Sequence, residues 1–65
     1  MQLMLNGEIK NISATTLDDL VIELKLEQRT IAIELNNAVV PRSEYHSTNL
    51  QKNDKLEIVH MIGGG

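Results

Sequence analysis

The sequence ends in Leu56-Glu57-Ile58-Val59-His60-Met61-Ile62-Gly63-Gly64-Gly65. The aliphatic residues of its first half favour a β-strand, and the polar Lys52-Asn53-Asp54-Lys55 before them favours a turn. Glycine has no Cβ and loses the most backbone entropy on ordering, so we expect residues 63–65 to be a flexible tail with a terminal carboxylate. A frayed terminus without function is the alternative, because chain ends are often disordered. The direct junction of an apolar strand with three glycines argues against it.

A β-hairpin is predicted at the opposite end of the chain. Gln2-Leu3-Met4-Leu5 and Glu8-Ile9-Lys10-Asn11-Ile12 are its strands, and Asn6-Gly7 connects them. Both turn residues tolerate the positive φ angles that a two-residue hairpin turn requires. Alternation along the first strand predicts that Leu3 and Leu5 share one face.

A short amphipathic helix is predicted after the hairpin. Thr16 suits the N-cap, where its hydroxyl can accept from a free backbone N–H, and we place the helix at residues 17–26. The spacing i, i+3, i+4, i+7 predicts a buried stripe of Leu17, Leu20, Val21 and Leu24. The opposite side carries Asp18, Asp19 and Glu23, which we interpret as a solvated face rather than a docking site for a basic partner.

The second half of the chain is predicted to add three strands, the last of which begins at Leu56. Residues 30–35 alternate between apolar and polar, Asn36-Asn37 is a turn, and Ala38-Val39-Val40 is a short strand. Pro41 removes a backbone donor, so we expect that short strand to lie at an edge of the sheet. Residues 42–49 are expected to be irregular, with one helical turn.

The element order β-β-α-β-β-β predicts an α+β fold in which one mixed sheet carries the helix across it. The most economical closure places the last strand parallel to the first at the sheet centre. That arrangement is the ubiquitin-like β-grasp, although spacing alone leaves other α+β arrangements open. We expect one domain over residues 1–62 and a tail over residues 63–65. The predicted core is aliphatic and comprises Leu3, Leu5, Leu17, Leu20, Val21, Leu24, Ile33, Leu56 and Ile58, with Leu50 as an anchor under the loop.

The same alternation defines a candidate docking surface. If the core residues of the sheet face the helix, Met4, Val59 and Met61 face the other way, onto the open side of the sheet. Exposed aliphatic side chains near the tail favour a partner surface over ordinary exposed apolar residues.

Composition argues against several classes of function. The chain has 65 residues, no Cys, one aromatic residue and a net charge of −3. A domain this small has little room for an enclosed active site beside its core, and without Cys it has neither disulfides nor a thiolate. Few cations and a single aromatic ring argue against nucleic-acid binding. The apolar runs are too short for a membrane span and no secretory signal is visible, so we expect a cytoplasmic location and no membrane partner.

Three further polar residues are candidate sites. His46 and His60 have no carboxylate or Cys pattern around them, so we expect neither a metal site nor a catalytic role there. Arg42 follows Pro41 and either orients a partner's carboxylate or is solvated, and the sequence does not decide between these.

In four segments the chain resembles the ThiS family of sulfur carriers, which have the ubiquitin-like β-grasp fold. The segments are Leu5-Asn6-Gly7-Glu8, Val40-Pro41-Arg42 followed by Tyr45, Asp54-Lys55-Leu56-Glu57-Ile58, and Met61-Ile62-Gly63-Gly64-Gly65. The likeness extends over the whole chain. A terminal Gly-Gly is a weak signal by itself, but its combination with Val-Pro-Arg in so short a chain is more specific.

The resemblance implies a carrier in thiamine thiazole biosynthesis that is not itself an enzyme and binds no cofactor or metal. An E1-like activating enzyme would use ATP to adenylate the Gly65 carboxylate. A persulfide donor such as a cysteine desulfurase would then convert it to a thiocarboxylate, and thiazole synthase would accept the sulfur. Gly63 and Gly64 would let the tail enter partner active sites, because backbone without side chains fits a narrow slot.

Other functions stay open at this point. The small subunit of molybdopterin synthase also carries sulfur on a terminal Gly-Gly, although it is usually longer. A ubiquitin-like modifier conjugated to lysines through Gly65 would share the first chemical step. An interaction module with an inert tail is the third possibility.

Overall fold

The secondary structure agrees with the predicted element order. A computed structural model describes residues 1–61 of the chain. Its elements are β1 (Gln2–Leu5), β2 (Glu8–Asn11), α1 (Leu17–Glu23), β3 (Ile31–Leu35), β4 (Ala38–Val40), a 3-10 helix (Arg42–Ser47) and β5 (Lys55–His60). β2 ends one residue before the predicted Ile12, and β3 begins one residue after the predicted Thr30. β5 begins one residue earlier than predicted, at Lys55. The predicted domain boundary at residue 62 and the tail over residues 63–65 lie outside the described residues.

The five strands form one mixed sheet in the order β2-β1-β5-β3-β4. β5 runs parallel to β1 and antiparallel to β3, so the last strand lies at the sheet centre as predicted. Among residues 1–61, β4 pairs only with β3 and lies at the edge, next to Pro41. The strand that leads to the glycines is therefore the central strand of the sheet.

Two tight turns of the same kind close the two hairpins. Asn6 and Gly7 have φ angles of 49° and 83°, and Asn36 and Asn37 have φ angles of 52° and 73°. Positive φ at both central residues defines the type I′ turn, whose twist matches that of the flanking strands. Both turns were predicted, because asparagine and glycine reach this region at the lowest cost.

The helix begins where predicted and ends earlier. The Thr16 hydroxyl accepts from the Asp19 N–H at 3.1 Å, which confirms the N-cap. The predicted end at residue 26 is wrong, because Lys25 has a φ of 60° and leaves the helical region. The N–H of Leu26 donates to the carbonyl of Val21 at 2.8 Å, and that of Lys25 to the carbonyl of Ile22 at 3.0 Å. These bonds form a Schellman motif, which usually has glycine at the position of Lys25.

The core lies between α1 and one face of the sheet. The predicted core residues are buried except Leu5 and Leu24, which are half-buried against the core. Leu50 is buried as predicted. Four further residues are also buried: Ile12, Ala14, Ile31 and Tyr45.

The prediction of an entirely aliphatic core is wrong at Tyr45. Its side chain is only 2% exposed, because the 3-10 helix turns it inward over the sheet. Burial raises the pKa of the Tyr45 phenol, against smaller lowering effects of the Arg42 charge and a hydrogen bond with the Ile33 backbone. The Arg42 guanidinium lies over the ring, 5.8 Å from its centroid. Arg42 therefore has an aromatic neighbour within its own chain.

Glu23 has a structural role that its place on the polar side of α1 did not indicate. Its carboxylate accepts from the Ser13 N–H at 3.1 and 3.2 Å and from the Ala14 N–H at 2.8 Å. These bonds fasten the connection between β2 and α1 to the last helical residue. Glu23 is exposed as predicted, together with Asp18 and Asp19, and its carboxylate has this structural role in addition.

The Glu23→Ala variant should unfold more easily than the natural chain. Hydrogen bonds to a charged group contribute about 1.5–3 kcal/mol when buried, and partial exposure here reduces the expected loss to about 1–2 kcal/mol. Differential scanning calorimetry should show a fall of several degrees in Tm. Glu27→Ala, at an exposed acidic residue beyond the helix, is the matched control and should change Tm little. Equal melting of the two variants would remove the role assigned to Glu23.

Candidate functional site

The candidate site is the end of β5 from which the chain continues toward the glycines. Leu56 and Ile58 anchor the strand in the core, and Val59, His60 and Met61 are exposed. Beyond β5, the Met61 N–H donates to the Thr30 carbonyl at 2.9 Å and continues the pairing with β3. Ile62, Gly63, Gly64 and Gly65 lie outside the described residues, so the proposed role of the glycines remains a prediction.

β5 does not have equal support along its two sides. On the β3 side the pairing extends from Leu35 opposite Leu56 to Ile31 opposite His60. On the β1 side it stops much earlier, where Leu5 lies opposite Leu56. β1 then turns away at Asn6. The residues of β5 nearest the tail thus pair with one strand only.

The Asn6 side chain takes the place of the missing strand. Its Oδ1 accepts from the Ile58 N–H at 2.7 Å, and its Nδ2 donates to the Ile58 carbonyl at 3.2 Å. The Asn6 backbone N–H also donates to the Leu56 carbonyl at 2.8 Å. An amide side chain carries one acceptor and a donor, as a peptide group does, so Asn6 satisfies both backbone groups of Ile58. Sequence reasoning used Asn6 only as a turn residue and missed this contact.

A second asparagine holds the start of β5 in a similar way. The Lys55 N–H donates to Asn36 Oδ1 at 2.9 Å, and Asn36 Nδ2 donates to Asp54 Oδ1 at 3.0 Å. Asn36 occupies the same position in its type I′ turn as Asn6 does in the first turn. The central strand is therefore held at Lys55 and at Ile58 by side chains from the two hairpin turns.

The open face of the sheet carries an exposed apolar patch near the end of β5. Val59 is 54% exposed and lies opposite Ala32 on β3, and Met61 is 55% exposed. Val39 is 67% exposed and lies opposite Glu34. We call Ala32, Val39, Val59 and Met61 the tail-side patch. Two half-buried carboxylates, Glu34 and Glu57, lie opposite each other beside it.

Met4 does not belong to this patch. It is exposed on the open face, but it lies opposite Lys55 on β5 and opposite Ile9 on β2. Lys55 precedes Val59 by four residues, which corresponds to about 13 Å along a strand. Met4 and Ile9 instead line a shallow pocket of about 140 Å³ together with Gln2, Leu3 and Asn53. Met4, Val59 and Met61 are all exposed as predicted, but Met4 lies about 13 Å farther from the end of β5 than Val59 does.

The two histidines do not belong to a cluster of metal ligands in the part of the chain that the structure describes. Within residues 1–61 no group of three His, Cys, Asp or Glu side chains is placed to hold a metal ion. His46 and His60 are both exposed, the first in the 3-10 helix and the second on β5. None of the helices among residues 1–61 is long and apolar enough to cross a membrane.

Comparison with known proteins gives consistent results for family and fold. The model of the ThiS family matches residues 3–65. The sulfur carrier protein ThiS of Bacillus subtilis (strain 168) is 37% identical over 65 residues, which cover 97% of this chain and 98% of that protein. The crystal structure of the thiamine biosynthesis protein ThiS from Geobacter metallireducens superposes with a TM-score of 0.86 at 28% identity, over 100% of both chains. This match confirms the predicted β-grasp.

Two longer relatives contain a segment similar to this chain. The thiazole synthases of Paramagnetospirillum magneticum and Magnetococcus marinus are each 46% identical to it over 66 residues. The aligned segment includes the whole of this chain and 20% of each of those proteins. The chain thus spans about a fifth of the length of these two relatives.

Proposed function

This chain belongs to the ThiS family, and from that premise we propose that it carries sulfur for thiamine biosynthesis as a thiocarboxylate on Gly65. In this role it is a small carrier protein and a substrate of other enzymes, and not an enzyme itself. The observation that carries the proposal is the family match through residue 65 of a chain whose central strand leads toward the three glycines.

The proposed chemistry begins with activation of the Gly65 carboxylate. A carboxylate is a poor electrophile, so an E1-like enzyme joins one carboxylate oxygen to the α-phosphorus of ATP, and pyrophosphate leaves. The terminal sulfur of a persulfide, supplied by a donor such as a cysteine desulfurase, attacks the acyl carbon and AMP leaves. A thiol then cleaves the sulfur–sulfur bond and releases the thiocarboxylate. The chain contains no Cys, so no thiol of its own competes for the sulfur.

Thiazole synthase is the proposed acceptor of this sulfur. Two proteins that bear that name contain a segment similar to the whole of this chain. That observation favours the thiazole route over the molybdopterin and protein-modifier alternatives. Gly63 and Gly64 would allow the tail to reach the acceptor's active site, since glycine adds no side-chain width to the backbone.

The activation step can be tested by mass spectrometry of the intact protein. The protein is incubated with the activating enzyme, ATP and a persulfide donor. The mass should increase by the replacement of one oxygen with sulfur, and fragmentation should place the change at Gly65. Omission of ATP is the control and should leave the mass unchanged. A product in which Gly65 is joined to a lysine of another protein would instead support the modifier function.

The tail-side patch is proposed as the docking surface for the activating enzyme. Its apolar side chains remain exposed beside the strand that leads to the tail, and the partner would cover them while the tail enters the nucleotide site. Burial of one valine stabilises an interface by about 1.5–3 kcal/mol. Loss of that contribution corresponds to at least about tenfold in affinity.

The Val59→Lys variant should therefore fold normally and bind the activating enzyme at least about tenfold more weakly. Isothermal titration calorimetry measures the affinity, and circular dichroism checks the fold. Ile9→Lys is the matched control, because Ile9 is also an exposed residue of the open face but pairs with Met4, away from the tail. It should bind like the natural chain. Unchanged binding by Val59→Lys would exclude the patch as the docking surface.

A further inference from the structure

The last part of β5 depends on one side chain for its support on the β1 side. β1 pairs with β5 only as far as Leu56, whereas β5 continues to His60. Within the described residues, Asn6 makes the only hydrogen bonds from that side to Ile58. On the other side the pairing with β3 is complete through Ile31 and His60. A substitution of Asn6 would thus remove support from β5 at Ile58, on the β1 side only.

The hydrogen bonds of Asn6 fix the direction of β5 at Ile58 as well as stabilise the strand. They engage both the N–H and the carbonyl of the same residue, at 2.7 and 3.2 Å, and they join segments separated by 52 residues. The N–H and the carbonyl of Ile58 belong to the two peptide groups that flank its Cα, so neither group can rotate without breaking a hydrogen bond to Asn6. Ile58 is the last buried residue of β5, and Val59 of the tail-side patch follows it immediately.

We propose that Asn6 is a positioning residue for sulfur acquisition at the tail. By holding Ile58, it fixes the tail-side patch relative to the direction in which the chain leaves the sheet. When the patch is docked, the Gly65 carboxylate must lie within bonding distance of a nucleotide, and misplacement by about 1 Å can lower such a rate by about 10²-fold. This inference rests on the proposed function and gives the first hairpin turn a role in that function.

The test compares Asn6→Gly with Asn36→Gly. Glycine accepts the positive φ of both turns, so each substitution keeps the turn and deletes a side chain that makes two hydrogen bonds to the β5 region. Asn36 acts at Lys55 and Asp54, at the start of β5, and Asn6 acts next to the tail-side patch. The measurements are Tm, amide hydrogen exchange at Ile58, and kcat and KM for ATP-dependent formation of the thiocarboxylate.

Asn6→Gly should lower kcat about tenfold with a KM within twofold of the natural chain, since the patch residues themselves remain. Exchange at Ile58 should accelerate in this variant. Asn36→Gly should lose a similar amount of thermal stability and keep kcat within about twofold. Asn6→Asp retains only the acceptor for the Ile58 N–H, so its kcat should fall between those of the natural chain and Asn6→Gly.

Several outcomes overturn the inference and leave the proposed function intact. Equal kcat for Asn6→Gly and Asn36→Gly would show that Asn6 contributes stability alone. If Asn6→Gly fails to fold, Asn6→Asp gives the same test, and a kcat equal to that of the natural chain would again refute a positioning role. Failure of the proposed function is distinguished because the natural chain itself would then acquire no sulfur.

Discussion

A protein with one extra residue after Gly65 should acquire no sulfur, although its fold should be unchanged. The added residue converts the Gly65 carboxylate into a peptide carbonyl, which has no oxygen free to attack ATP. The new carboxylate lies one residue farther along, about 3.5 Å away in an extended chain. Intact mass spectrometry after incubation with the activating enzyme, ATP and a persulfide donor should show no replacement of oxygen by sulfur.

Removal of the extra residue provides the control. If the extension is a single lysine, a carboxypeptidase specific for basic residues restores Gly65 as the terminus, and the recovered protein should acquire sulfur again. This step separates an effect of the terminus from damage to the fold. Gly64→Val should lower the rate by more than about 100-fold, since a branched side chain next to the reacting group would displace it from the nucleotide. If the extended protein acquired sulfur at the rate of the natural chain, the terminal-carboxylate mechanism would be excluded.

Local chemistry explains which parts of the fold were predictable. Both hairpin turns consist of residues that tolerate positive φ, and apolar and polar residues alternate in the strands beside them. These turns, at Asn6-Gly7 and Asn36-Asn37, are type I′ turns in the structure. The period of 3.6 placed Leu17, Leu20 and Val21 on one side of the helix, and all three are buried. These features depend on near neighbours in sequence, so the sequence alone was sufficient.

The features that were missed depend on tertiary contacts. Lys25 adopts a left-handed conformation that a non-glycine residue usually avoids, and the packing of Leu26 against the core accompanies it. Tyr45 lies in an irregular segment whose direction only the finished sheet determines. No local pattern indicates that the 3-10 helix would turn this ring inward.

The sequence predicts which face of the sheet carries the residues of the candidate site, but it does not predict the register between β1 and β5. Alternation correctly placed Met4 and Val59 on the open face, but the offset between them comes from the parallel pairing of Met4 with Lys55. β1 and β5 are the first and last strands of the chain, so no tight turn joins them and fixes their register. For the same reason, the contact of Asn6 with Ile58 has no signature in sequence beyond the asparagine itself.

Leu20→Ala should cause the largest loss of stability among the helix substitutions. Leu20 is fully buried between α1 and the sheet. Its truncation removes apolar contacts and leaves a cavity, at a cost of about 2–5 kcal/mol. A domain of this length has a total stability of roughly 3–10 kcal/mol. The variant should therefore melt at least about 10 °C lower than the natural chain.

Ile22→Ala tests whether the effect comes from burial or from helix propensity. Ile22 lies in the same helix, two residues away, but is 59% exposed. Alanine is the better helix former, so this variant should melt close to the natural chain or slightly above it. Both variants replace a four-carbon aliphatic side chain with a methyl group, and leucine and isoleucine differ by only a few tenths of a kcal/mol in helix propensity, so a difference of about 2 kcal/mol or more between them comes from burial. Equal melting of the two would mean that the α1 side facing the sheet has been wrongly assigned, and the core described above would have to be abandoned.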